Sequence, residues 1–282
     1  MPELDSAAAL RNRMVDGLIK NQVVQSAAVE AALRAVPRHL FAPWLPLEDA
    51  YANQAWIIPE STPEAPATIS QPTSVGLMLE SFDLKPGQKV LEIGAGTGYN
   101  AALMAHIVGA AGRIVSIDIE DHLVQAARTR LADLAHVQVI HGDGGAGFTP
   151  HAPYDRIVAT VGAWDLPPAW REQLTPDGRL VIPLHLFGEP QNHILVSFRR
   201  AAALLVGRGL CGLDMVLMRG EYARHGAPLP MQVSEQWRGR AIVPKDLNVT
   251  IYSPDAPYEP QPYELVIDKL QARVVVTYSP SV

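Results

Sequence analysis

The residues with the plainest chemical purpose are three glycines spaced by single residues, Gly94, Gly96 and Gly98. They stand directly after the apolar run Val90-Leu91-Glu92-Ile93 and directly before a helical pattern that starts at Tyr99. A buried strand running through such a loop into a helix is the setting a nucleotide-bearing ligand needs. Glycine permits a tight turn and close approach of the ligand, and the helix start presents free N–H groups. A dinucleotide fingerprint counted from Gly94 wants glycine where Tyr99 stands. The G-x-G-x-G form, with Glu92 two residues ahead of it, fits S-adenosylmethionine instead, and the chemistry of that cofactor is methyl transfer.

Two carboxylates follow in register. Asp118 closes the next apolar run, where an acidic side chain accepts both ribose hydroxyls. After the run beyond that, His141-Gly142-Asp143-Gly144 places Asp143, with Gly142 beside it, where it can hold an adenine amine. Taken singly, a glycine loop is often only a tight turn and an Asp at a strand end only a helix cap. After successive strands of one βαβαβ unit the three point together to a cofactor site.

The elements that must position these residues read as short apolar runs alternating with helical ones. The runs are 89–93, 113–118, 137–140, 156–160, 179–184 and 193–198, with helices at 99–108, 121–134 and 167–174. Runs this apolar are covered on both faces, so the fold class is α/β, a Rossmann-like doubly wound and mostly parallel sheet. Ahead of it, Leu10, Met14 and Leu18, then Val29, Leu33 and Val36, recur at helical spacing. Residues 45–72 lose all periodicity and gather five prolines, which reads as a long ordered loop or a lid. Strand-like alternation returns at 248–252 and 272–278 around a Pro-rich stretch at 253–263. Three parts result: a helical cap and substrate loop at 1–84, a cofactor domain at 85–220, and a C-terminal extension at 221–282.

Composition excludes several function classes. Lys+Arg number 23 against Asp+Glu 29, a formal net charge of -6 with no run of like charge, which argues against nucleic-acid binding. No apolar stretch reaches the ~20 residues of a membrane span. One cysteine, Cys211, and no signal-peptide core make the cytoplasm the expected compartment. Cys211 reads as a small core filler. The nine histidines form no metal-ligand spacing, so no metal is expected. Trp164 and Trp170 read as packing anchors or as flanks of a peptide groove.

Upstream of the glycine loop stands Ala67-Thr68-Ile69-Ser70-Gln71-Pro72, and further upstream Val36-Pro37-Arg38-His39-Leu40-Phe41. With the glycine loop, Gly142-Asp143-Gly144, Tyr154-Asp155-Arg156-Ile157-Val158, Gln173-Leu174 and Gly178-Arg179-Leu180-Val181-Ile182-Pro183, the chain resembles the protein-L-isoaspartate O-methyltransferase family over residues 10–200. The resemblance implies methylation of the α-carboxylate of an L-isoaspartyl residue in a protein or peptide, followed by collapse of the ester to a succinimide. It implies Ser70 as the active-site hydroxyl, with Thr68, Ile69 and Gln71 shaping the acceptor pocket. Gly94, Gly96 and Gly98, preceded by Glu92, then take the methionine end of the cofactor, Asp118 the ribose, and Gly142 and Asp143 the adenine. An acceptor carboxylate with a pKa of about 4 needs no base, so the task is alignment and exclusion of water rather than a Ser-His-Asp triad. For Ser70 the plainer reading is a helix N-cap ahead of Pro72.

Departures from the family pattern exist. Pro66-Ala67 stands where the family has Gly-Gln, Asp118 where Glu is commoner, and Asn100 where Gln is usual. Tyr99-Asn100-Ala101-Ala102, the segment from Gly162 to Pro167 and the C-terminal extension look like the branch that modifies ribosomally made peptides such as lanthipeptides, turning an aspartate into an aspartimide. A binding module that keeps the fold without catalysis is the alternative of another class.

Overall fold

The computed structural model describes residues 6–63, 65–163, 166–185, 192–201, 204–222, 247–252, 265–268 and 273–278. By its contacts the chain divides into two compact units, Met1–Gly142 and Asp143–Val282.

In the first unit, α1 (Ala7–Lys20) and α2 (Ala27–Ala35) start at serine caps. The side chain of Ser6 accepts from the Ala9 N–H and that of Ser26 from the Val29 N–H. A short α3 (Leu47–Ala50) leads to a two-stranded antiparallel ribbon, β1 (Trp56–Ile57) with β2 (Thr68–Ile69), and then to α4 (Pro72–Phe82). The stretch expected to be a loop or lid therefore holds three small elements. Each is too short to show a period in sequence, and the ribbon is fastened by a cluster of Ile58, Ala67, Leu123 and Trp44.

The rest of this unit alternates strand and helix: β3 (Lys89–Ile93), α5 (Tyr99–Val108), β4 (Arg113–Asp118), α6 (Asp121–Arg130) and β5 (Val137–His141). The strands pair in parallel in the order β3-β4-β5, with Val90 opposite Ile114 and Ile117 opposite Ile140. Val90, Leu91, Ile114 and Val115 are all fully buried, as the apolar runs require, and nearly every side chain of α5 is buried with them. α2 packs on α5, and α1 on α4. The carboxylate of Glu80 accepts from the N–H of Gln25 and the N–H and hydroxyl of Ser26, which fixes where α2 starts.

In the second unit, β6 (Tyr154–Ala159) leads through α7 (Pro168–Glu172) to β7 (Leu174–Leu184), its parallel partner. β8 (Asn192–Ala201) and β9 (Leu204–Asp214) continue antiparallel, followed by β10 (Leu247–Tyr252), β11 (Leu265–Asp268) and β12 (Arg273–Tyr278). β10 pairs with β9 and β12, and β12 with β11. β9 has no counterpart in the sequence reading, because Gly207, Gly209 and Gly212 interrupt its pattern. Gly207 is there for packing: it lies opposite Phe198, and a Cβ on it would run into the Phe198 ring. Cys211 pairs with Leu195 across the same ladder and is half-buried rather than enclosed in the core. The Pro-rich stretch 253–263 lies outside the described residues. No helix among the described residues is long and apolar enough to cross a membrane.

Candidate functional site

The glycine turn takes the form its spacing predicts. Gly94, Gly96 and Gly98 have φ of 97°, 51° and 88°, a region that side chains with a Cβ rarely adopt. The two outer contacts of the turn are backbone: Gly94 and Ala95 donate to the Ile117 carbonyl at 2.8 and 3.0 Å. Gly98 caps α5, and a Cβ there would press on Leu131 and Ala127 of the following helix segment. Gly96 differs, since a Cβ on it would meet nothing within 4 Å. The turn is thus closed on one side by packing and open at Gly96, which fits the close approach of a ligand beside the free N–H groups that begin α5.

Asp118 lies at the end of β4, 8% exposed, and holds the turn from below. Its Oδ2 accepts from the Gly96 N–H at 2.8 Å and its Oδ1 from the Glu120 N–H at 3.1 Å. Glu92 is fully buried in β3. Its two oxygens accept from Asn100 Nδ2 at 2.9 Å and Ser116 Oγ at 2.5 Å. Burial, aided by the nearby Asp118 charge, pushes the Glu92 carboxyl up to about 7 despite both hydrogen bonds. Asn100, the departure from the usual Gln, is therefore the residue that ties the first turn of α5 to this carboxyl. Arg130 of α6 points at the Thr97 carbonyl of the turn at 3.4 Å.

Gly142 donates to the Asp118 carbonyl at 2.9 Å, which places the chain after β5 beside the end of β4. Asp143 follows it as the first residue of the second unit. There its Oδ1 accepts from the Gly145 N–H at 2.8 Å and its Oδ2 from the Glu221 N–H at 2.6 Å. The side chain of Tyr222 closes over Gly145, where a Cβ would strike it. Trp170 is fully buried and donates through Nε1 to the Gly144 carbonyl at 2.9 Å, so it is a packing anchor and no flank of a groove. Gln173 does similar work on the same loop, accepting from the Phe148 N–H at 2.7 Å and donating to the Ala146 carbonyl at 3.0 Å. Trp164 lies outside the described residues.

The segment 68–71, to which the family resemblance gives the acceptor role, belongs to the first unit. Thr68 and Ile69 form β2, Ile69 is buried, and Ser70 is half-buried just beyond the strand. The N-cap of α4 is Gln71 and not Ser70, so the plainer reading of Ser70 as a cap does not hold. Asn53 replaces the missing cap interaction, accepting from both the N–H and the hydroxyl of Thr73 at 3.0 Å. Behind Ser70 lies a residue to which the sequence reading gave no role. Arg38, 0% exposed, donates from Nη2 to the Ser70 carbonyl at 2.8 Å and from Nε to the Ala50 carbonyl at 2.9 Å. Its guanidinium also lies 5.1 Å from the centre of the Tyr99 ring, the first residue of α5. One side chain therefore touches both Ser70 and the residue following the glycine turn.

These features agree with what comparison with known proteins finds. The sequence pattern of the family described as protein-L-isoaspartate(D-aspartate) O-methyltransferase matches residues 9–210. The chain belongs to this family. It is 43% identical to the protein-L-isoaspartate O-methyltransferase of Pyrococcus horikoshii over 215 residues, which covers 74% of this chain and 93% of that protein. Among solved structures, a protein-L-isoaspartate O-methyltransferase superposes with a TM-score of 0.70 at 24% identity, covering 96% of this chain and 88% of that one. A second, from Plasmodium falciparum and in complex with S-adenosyl-L-homocysteine, gives 0.63 at 18% identity, covering 74% of this chain and 98% of that one. The fold is that of the Rossmann-like methyltransferases, and S-adenosylmethionine is the cofactor of this family. Within the family's own motifs, the signal that could have exposed Arg38 is a cation embedded in the apolar stretch 36–41, a placement that demands a partner.

Proposed function

We propose that this chain transfers a methyl group from S-adenosylmethionine to the α-carboxylate of an L-isoaspartyl residue in a protein or peptide. The observation that carries the reading is the guanidinium of Arg38, which bonds the Ser70 carbonyl and lies over Tyr99. Family membership supplies the expected acceptor side at Ser70 and the expected donor side at the glycine turn, and Arg38 connects them within one compact unit.

Gly94, Gly96 and Gly98 take the methionine end, Asp118 the ribose, Gly142 and Asp143 the adenine, while Glu92 braces the turn through Asn100. Bound there, the cofactor supplies an electrophilic methyl on a sulfonium. The acceptor carboxylate is ionised at about pH 7 and attacks without a general base. Ser70 donates its hydroxyl to one carboxylate oxygen and leaves the other aimed at the methyl carbon, with Thr68, Ile69 and Gln71 walling the pocket. Transfer would exchange the carbon–sulfur bond of the sulfonium for an ester carbon–oxygen bond and cancel the two opposite charges, so this chain's residues need move no proton and have only to orient the carboxylate and exclude water. The methyl ester then loses methanol as the following backbone nitrogen closes a succinimide. Residues 1–84 act as cap and substrate loop, 85–220 as cofactor domain and 221–282 as extension. We place the activity in the cytoplasm, with neither nucleic acid nor membrane as a partner.

The second reading, an aspartate of a ribosomally made peptide, is favoured by the 72 residues that follow the family match. That extension is weak support for it, because an isoaspartate methyltransferase of known structure aligns in fold over 96% of this chain. The test is methyl incorporation from labelled S-adenosylmethionine into an isoaspartyl peptide and its aspartyl twin. Incorporation into the isoaspartyl peptide alone is the expected result. Turnover of only a constrained aspartyl peptide would establish the second reading, and calorimetric binding of the cofactor without any turnover would leave a binding module.

A further inference from the structure

We propose that Arg38 is a positioning residue for methyl transfer, a ruler that sets the Ser70 hydroxyl at a fixed distance from the turn at Gly98-Tyr99. The inference rests on the functional reading above. Arginine is seldom fully buried unless it is paired. Here no carboxylate pairs with it among the described residues: its partners are the carbonyls of Ala50 and Ser70 and the face of Tyr99, and its Nη1 is buried without a hydrogen-bond partner. Tyr99 is itself buried, and its hydroxyl also lacks a partner among the described residues. As a device for stability this is a poor one, since desolvating a cation is costly and an apolar side chain of similar volume serves a core as well or better.

The three contacts make sense as geometry. Ser70 follows a strand of only two residues, and a ribbon that short specifies position weakly by itself. The Arg38 bond to its carbonyl fixes the backbone from which the hydroxyl projects. The planar fork bonds two carbonyls at once while its central carbon lies 5.1 Å from the centre of an aromatic ring, an arrangement lysine cannot reproduce. Pro37 sets up the turn Arg38–Phe41 that aims it, and Phe41 packs beside Tyr99 with ring centres 5.5 Å apart. In-line transfer depends on such placement, where an error of about 1 Å costs on the order of 100-fold in rate.

The experiment compares Arg38→Ala, Arg38→Lys and Arg38→Met with the wild type in steady-state methylation of an isoaspartyl peptide, in calorimetric cofactor affinity and in melting temperature. The expected result is a kcat about 100-fold lower in Arg38→Ala with cofactor Kd changed by less than about 3-fold. Methylguanidinium restores at least about ten-fold of the Arg38→Ala rate, and ethylammonium does not. Arg38→Lys, which keeps the charge, stays near the Arg38→Ala rate. Wild-type kcat in Arg38→Met, or equal loss of kcat and cofactor affinity in Arg38→Ala without rescue, would overturn the proposal. If Arg38→Ala does not fold, the rate of Arg38→Lys decides alone, with wild-type kcat counting against the ruler. An inactive wild type would sink the functional reading and this inference together, whereas an active wild type with indifferent Arg38 variants sinks only this one.

Discussion

The proposed donor and acceptor sides of the first unit, the glycine turn and Ser70, are built by opposite means. At the glycine turn the backbone does the holding: three residues at positive φ, two N–H bonds to the Ile117 carbonyl, and a carboxylate from the next strand. At Ser70 a side chain from 32 residues upstream does it. A backbone-built site is compact in sequence and disfavours a Cβ where φ is positive, while a side-chain-built one is scattered in sequence and depends on a residue far from it in the chain.

Three substitutions break or sharpen that contrast. The largest effect belongs to Gly96→Val, which adds a β-branched side chain at φ +51° into the open space of the turn. Calorimetry is expected to show at least about a 100-fold loss of cofactor affinity, equivalent to roughly 2.7 kcal/mol. Retained affinity would mean that the ligand does not approach the turn there. Next is Ser70→Ala, with kcat lower by about 10- to 100-fold and cofactor Kd within about 2-fold. Equal losses in both quantities would contradict a purely acceptor-side role.

The smallest effect concerns Glu92, whose carboxyl is pushed up to about 7 from 4.5. A raised acid holds its proton more tightly in the folded chain. Its contribution is therefore complete below pH 4.5 and is lost as pH rises through about 7. Glu92→Gln is expected to flatten the dependence of melting temperature on pH across that window and to melt a few degrees above the wild type at pH 8. An unchanged pH profile would show that the carboxyl titrates as an ordinary one.

Legibility follows the same division. The glycine turn, Asp118 and the strands around them were readable because each announces itself within a handful of residues: β3, β4 and α5 have the ends that the apolar pattern gives them. Strand β9 was not readable, because its glycines answer to Phe198 on the neighbouring strand and not to any period of their own. The ribbon β1-β2 was too short for a pattern. Ser70 was legible only through resemblance to a family, since nothing near it in sequence marks a hydroxyl for orienting a carboxylate. The link from Arg38 to Ala50, Ser70 and Tyr99 joins four separate stretches of chain, and no local rule reports a contact of that kind.

The clasp that Asp143 makes on Glu221 bears on where this protein can be cut. The family's sequence pattern ends at residue 210, although the fold of a relative follows nearly the whole chain, and a truncation there looks like a natural minimal enzyme. Such a cut would discard Gly220, Glu221 and Tyr222, strip one carboxylate oxygen of its backbone donor and uncover Gly145. A shortened version meant to keep the loop after β5 intact has to run at least through Tyr222.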